Sequence, residues 1–200
     1  MTCRLLALML PLALIGCQGN FTSRFRPASY DDAAYQVYSD LFSEKDTVGI
    51  TPGQLVIIQR ETVRGGNMSF DKDISRCFPQ NWEFRWEYKS ALADYDKQNR
   101  VPHVLDRRFN MPSPYQLLSD KQIDALISAK KVVWSGFEEK YPSSFGYIVV
   151  SAVGFNSSRT RAIVAASRDC GVLCGGGRDY AMEKIRGRWV EDHAGCSWFE

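Results

Sequence analysis

Histidine is scarce in this chain, with two in 200 residues, so acid–base chemistry near neutral pH has few carriers. Charge of one sign is also lacking. The 25 Lys+Arg against 23 Asp+Glu leave a formal net charge of +2, which offers no strong field and argues against nucleic acid as a partner. No apolar run approaches the ~20 residues that a helix needs to cross a hydrocarbon core, and no internal repeat or low-complexity tract is present. What remains is ordinary globular composition, 44% hydrophobic and 24% charged, at a length expected for one domain with a real core.

The N-terminus carries the most specific signal. Arg4 precedes the apolar run Leu5 to Ile15, which is interrupted by Pro11 and followed by Gly16 and Cys17. These are the charged, apolar and small-residue regions of a secretory leader. Leu14-Ile15-Gly16-Cys17 resembles the bacterial lipobox, in which a small residue precedes a cysteine that is lipidated and becomes the mature N-terminus. The resemblance implies a signal peptide over 1–16, lipid attachment through the Cys17 thiol, and acyl chains sufficient for stable anchoring. Gln18 stands where that family's retention rule has Asp, which points to the outer membrane, facing the periplasm. Residues 17–28 then read as a lipidated N-terminus and polar tether, and 29–200 as a single globular domain.

Export leaves Cys77, Cys170, Cys174 and Cys196 in a compartment that permits disulfides, since Cys3 departs with the leader and Cys17 is consumed by lipid. Three pairings are open. One joins Cys170 to Cys174 across a small loop and leaves Cys77 to meet Cys196. A four-cysteine zinc site is the alternative, although zinc ligands usually arrive as two close pairs.

Hydrophobic period predicts the elements. Ser29 and Asp32 suggest a helix start ahead of Ala34, Tyr38, Leu41 and Phe42 on one face, and Leu55 to Ile58 reads as a buried strand. Phe84, Tyr88, Leu92 and Tyr95 recur at helical spacing over Trp82 to Asp96. Ser119 with Gln122 forms a capping-box pattern before Ile123, Leu126 and Ile127, Lys130 and Lys131 suit that helix's C-terminal dipole, and a further helical stretch runs from Ser135-Gly136 to Pro142. Beyond it the period changes: Phe145 to Phe155, Thr160 to Ser167, Asp179 to Ile185 and Trp189-Val190 read as four strands, the last two joined by an Arg186-Gly187 turn. The expected fold is α+β, an antiparallel β-meander packed on one side against two to four helices, with a cystatin-like or NTF2-like arrangement as the analogy.

The strings Tyr141-Pro142-Ser143-Ser144, Val153-Gly154-Phe155-Asn156, Cys174-Gly175-Gly176-Gly177 and Gly187-Arg188-Trp189-Val190 together resemble a group of uncharacterised bacterial secreted proteins that share a strand meander. The resemblance covers roughly residues 134 to 200 and implies no reaction.

Catalytic candidates are thin. His103 with Asp106 pairs a base and a carboxylate on paper, Cys77 or Ser119 offers a nucleophile, and His193 lies near the last strand. Gly175 to Gly177 beside Arg178 could present backbone N–H groups to an anion, but strands on both sides favour a hairpin connection. Trp82 and Trp86, four apart, make either a binding platform or part of the core, with core favoured. Trp134, Tyr147 and Tyr180 would line a pocket if the concave face holds one. Arg107-Arg108 near Arg100 is the only notable basic cluster, too short for nucleic acid. No cofactor or metal is implied. The sequence therefore reads as a membrane-anchored lipoprotein of the cell envelope with a non-catalytic binding or structural domain, taking an envelope protein or a small ligand. A periplasmic hydrolase or thiol enzyme using Cys77 or a C-terminal cysteine with a histidine, and an immunity-type partner of another envelope or secreted protein, are the alternatives.

Overall fold

The computed structural model describes residues 31–43, 49–51, 53–63, 74–129, 134–171 and 173–199. The leader, Cys17, the tether, Ser29, Lys130 and Lys131 lie outside them. Helix α1 (Asp32–Ser43) buries Ala34, Tyr38, Leu41 and Phe42, as their spacing predicts. Strand β1 (Val56–Gln59) follows, then a 3-10 turn over Ile74–Cys77 and helix α2 (Trp82–Gln98). Asn81 caps α2, its side-chain oxygen accepting from the Phe84 N–H at 3.0 Å, so one of the helix's orphan donors is satisfied. Strand β2 (Tyr115–Leu118) leads into α3 (Asp120–Ile127), where both bonds of the Ser119/Gln122 capping box form. Helix α4 (Ser135–Lys140) precedes β3 (Tyr147–Val150), β4 (Gly154–Phe155), β5 (Arg161–Asp169), β6 (Gly175–Ile185) and β7 (Arg188–Phe199). The β6–β7 turn is the predicted one: Arg186 and Gly187 both take positive φ, 49° and 86°, the primed geometry that suits the twist of a two-residue hairpin.

The fold is α+β, with an open, mostly antiparallel seven-stranded sheet of order β2-β1-β3-β5-β6-β7 and β4 paired beside β5. Strands β5, β6 and β7 form the expected meander. Two features were not legible beforehand. The sheet continues through parallel pairs, β3 with β1 and β1 with β2, and β2 is a four-residue edge strand just after Pro114 that shows no clean alternation. The predicted strand over Phe145 to Phe155 is also broken into β3 and β4. At the break, Asn99 Oδ1 accepts from the Ala152 N–H at 2.9 Å, Asn99 Nδ2 donates to the Ala152 carbonyl at 3.0 Å, and Tyr38 Oη donates to the Ser151 carbonyl at 2.7 Å. Side chains from α1 and the end of α2 thus replace the missing ladder bonds, which is what a buried kink requires.

Helices cover both faces, not the one expected. Strand alternation sends Val56, Ile58, Ile148, Val150, Val164, Tyr180 and Met182 to the α1 side, where they meet Tyr38, Leu41 and Trp189. Ile163 and Ala181 point the other way, into Phe84, Tyr88, Ala91 and Tyr95 of α2, and Ile57 packs with Ile123 and Phe137 of α3 and α4. Arg161 ties α2 down by bonding Glu87 at 2.8 Å and Glu183 of β6 at 2.7 Å. Among the described residues no helix is long and apolar enough to cross a membrane.

Candidate functional site

The glycines read as a hairpin connection lie instead inside β6, paired to both neighbours: Gly176 faces Arg168 and Phe199 in register, Gly177 faces Ser167 and Trp198. The turn sits one step earlier, around Gly171 and Leu173. Because Gly176 lacks a side chain, the α1 side of the sheet opens there beyond the end of its packed core. The result is a groove of about 400 Å³ lined by Arg168, Arg178, Tyr180, Ser197, Phe199 and the Gly175–Gly177 backbone, with Gly49 at its margin. On the opposite face a Cβ at Gly177 would collide with the Trp198 ring, so glycine there lets the indole lie across the strand.

The groove is cationic. Arg168 lies over the Phe145 ring at 4.5 Å and donates to the Gly49 carbonyl at 3.3 Å, and burial pulls its pKa below the usual guanidinium value. Arg178 lies over the Tyr180 ring at 5.0 Å and reaches Glu191 at 3.4 Å. Arg178 and Arg168 are diagonal neighbours on adjacent strands, two residues apart in register, and both line the groove. Phe199, 86% exposed, gives the rim an apolar edge. Of the three aromatic residues proposed to line a pocket, Tyr180 does so; Trp134 and Tyr147 stack on each other, 5.8 Å between centroids, in the core beneath α4.

Directly behind the groove, Asp179 points into the α2 side with no exposure, and neither carboxylate oxygen has a hydrogen-bond partner among the described residues. Burial pushes its pKa up to about 7. Cys77 and Cys196 lie beside it, each within 4.8 Å of its carboxylate. These two are joined as a disulfide, and Cys170 is joined to Cys174, so the four described cysteines form bridges in place of the zinc arrangement and none of the four is a free thiol. The pairing weighed from the spacing of the nearer cysteines is the one observed.

Trp82 and Trp86 are not core. Each is 77% exposed, because the buried stripe of α2 runs through Phe84, Tyr88, Ala91 and Tyr95, half a turn away. The two indoles border a second hollow of about 590 Å³ with Phe84, Arg85, Lys89 and Leu92. The period alone could have shown this: placing Phe84 and Tyr88 inward forces 82 and 86 outward.

The remaining candidates serve structure. His103 Nε2 is 2.9 Å from the Gln98 carbonyl and must donate to it, which fixes a proton on that nitrogen. His193 meets Phe84 edge-on at 5.2 Å. Ser119 is spent on its helix cap. Arg108 pairs with Asp32 and lies over Tyr35, and Arg107 reaches the Tyr115 carbonyl, so the Arg107-Arg108 cluster is divided between separate contacts. No protein-family model, curated protein or solved structure matches this chain.

Proposed function

We propose that this chain is a lipid-anchored, non-catalytic binding protein of the bacterial cell envelope, held by Cys17 at the outer membrane and facing the periplasm. Its ligand on this reading is a small amphipathic anion that sits in the groove at the end of the sheet. The carrying observation is a groove in which Arg168 and Arg178 flank a strand stripped of side chains at Gly176, with Tyr180 and Ser197 as hydroxyl partners and Phe199 as an apolar edge. Ligand sites combine an apolar lining with a few placed polar groups in this way. A non-catalytic role is supported by the occupation of the residues that chemistry would need: four cysteines in two disulfides, Ser119 in a cap, and His103 donating to a carbonyl.

Two measurements test the two halves. Intact mass of protein purified from bacterial membranes is expected to give a chain beginning at Cys17 with added acyl mass, and Cys17→Ser is expected to release the protein into the soluble periplasmic fraction. A mature chain without lipid would sink the anchor. Calorimetric titration with octanoate, a carboxylate on an apolar tail, is expected to show saturable binding that Arg178→Ala weakens by about tenfold or more, the scale of one charge-assisted contact of about 1.5–3 kcal/mol. Equal affinity in wild type and Arg178→Ala would remove the groove from the reading.

A further inference from the structure

We propose that the exposed stripe of α2, Trp82, Arg85, Trp86 and Lys89, rests on the lipid surface to which the chain is tethered, turning the groove away from the membrane; this rests on the anchored reading above. The helix is built for such a contact. At 100° per residue, positions 82, 86, 89 and 93 lie opposite the buried stripe of Phe84, Tyr88, Ala91 and Tyr95, so Trp82 and Trp86 crown the part of α2 farthest from the sheet. Indole belongs at the headgroup level, where its apolar body and N–H both find company. Arg85 and Lys89 beside the indoles complement anionic headgroups and bury their stems along apolar surface. Glu87 lies off this stripe and is bonded to Arg161, while Asp96 lies on it, seven residues beyond Lys89 and away from the indoles.

Reach and direction agree with this occupant. The tether meets the fold at Asp31, which shares a hollow with Asp94 and Gln98 near the other end of α2. Trp82 stands twelve residues from Asp94, roughly 18 Å along the helix, while fourteen residues from Cys17 span at most about 50 Å. A chain fixed to lipid at Cys17 can therefore lay α2 on the same leaflet. Strand alternation then decides what faces outward: α2 packs on Ile163 and Ala181, whereas Arg168, Arg178 and Tyr180 belong to the opposite face of the same strands.

The test uses the chain from Gln18 onward, which contains every described residue and no lipid, so that the stripe is measured apart from the anchor. Sedimentation with vesicles of phosphatidylcholine carrying about one-third phosphatidylglycerol is expected to show binding that Trp82→Ala/Trp86→Ala reduces by about tenfold or more. Arg85→Gln/Lys89→Gln should cancel only the preference for these vesicles over phosphatidylcholine alone. Both pairs are exposed, and unchanged circular dichroism and thermal unfolding establish that the variants are folded. Failure of the wild-type chain to bind either vesicle, or equal binding by the double tryptophan variant, overturns the proposal. Binding by the indoles to a purified envelope protein with no vesicle binding overturns it in favour of a protein interface. A chain found unlipidated by mass that still binds vesicles through the tryptophans separates the stripe from the anchor, since the anchor then fails alone.

Discussion

Replacing Cys77 and Cys196 together by alanine is expected to lower the unfolding free energy by about 5 kcal/mol, while replacing Cys170 and Cys174 costs about 2 kcal/mol; both figures follow from loop-closure entropy. The separations decide the contrast: 119 residues between the first pair and 4 between the second. The long-range bridge also has a definite place in the fold. It fastens the 3-10 turn before α2 to the end of β7, one residue ahead of Ser197 and three ahead of Phe199, both of which line the groove. Its loss should therefore loosen the groove wall as well as the fold, and octanoate should bind the Cys77→Ala/Cys196→Ala chain more weakly than the wild type. Urea unfolding of the two variants beside the wild type measures the first effect. Equal losses in the two variants would show that the long loop is already constrained before folding, and the entropic account would fail.

Helices with a one-sided apolar period were legible because burial on one face is what the period encodes. α1, α2 and α3 appear within a few residues of their expected ends, and the capping box at Ser119 located its helix by chemistry as well as by pattern. The meander was legible for the same reason, since β-branched runs separated by turn residues leave few other folds. Parallel pairing was not, because β1 and β2 are each four residues long and β2 is at the sheet edge; nothing in four residues distinguishes a parallel neighbour from an antiparallel one. The groove escaped for a different reason. A run of three glycines reads locally as a turn, and only the register of β5 and β7 against β6 shows that these glycines extend a strand and clear space between two arginines. The outward placement of the α2 tryptophans follows from period and not from residue type, since the positions of Phe84 and Tyr88 fix them outward.

Asp179→Asn should abolish a fall in stability between acid and neutral pH, so that the variant gains on the wild type as pH rises. The carboxyl group is fully buried without a partner among the described residues, and burial raises its pKa to about 7, against about 3.9 for an unperturbed aspartate. Between these values the folded chain holds a proton that the unfolded chain has released. Stability therefore falls as pH rises from about 4 to about 7 and is level above. At about 1.4 kcal/mol per pH unit the loss has an upper limit of about 4 kcal/mol, which relaxation around the charge would reduce. Asparagine cannot ionise, so the variant lacks that slope; the cost of burying its amide is the same at both pH values and drops out of the comparison. Urea titrations of wild type and variant at pH 4 and pH 8 measure the difference directly. A variant with the wild-type slope would show that the carboxylate is compensated in the folded protein and does not titrate as an isolated buried acid. The expected result has a structural meaning, because alternation along β6 puts Arg178 and Tyr180 in the groove and Asp179 behind it, against the Cys77–Cys196 bridge. The strand that lines the groove thus also carries a buried carboxyl group with no partner among the described residues, and the Cys77–Cys196 bridge lies against that carboxyl.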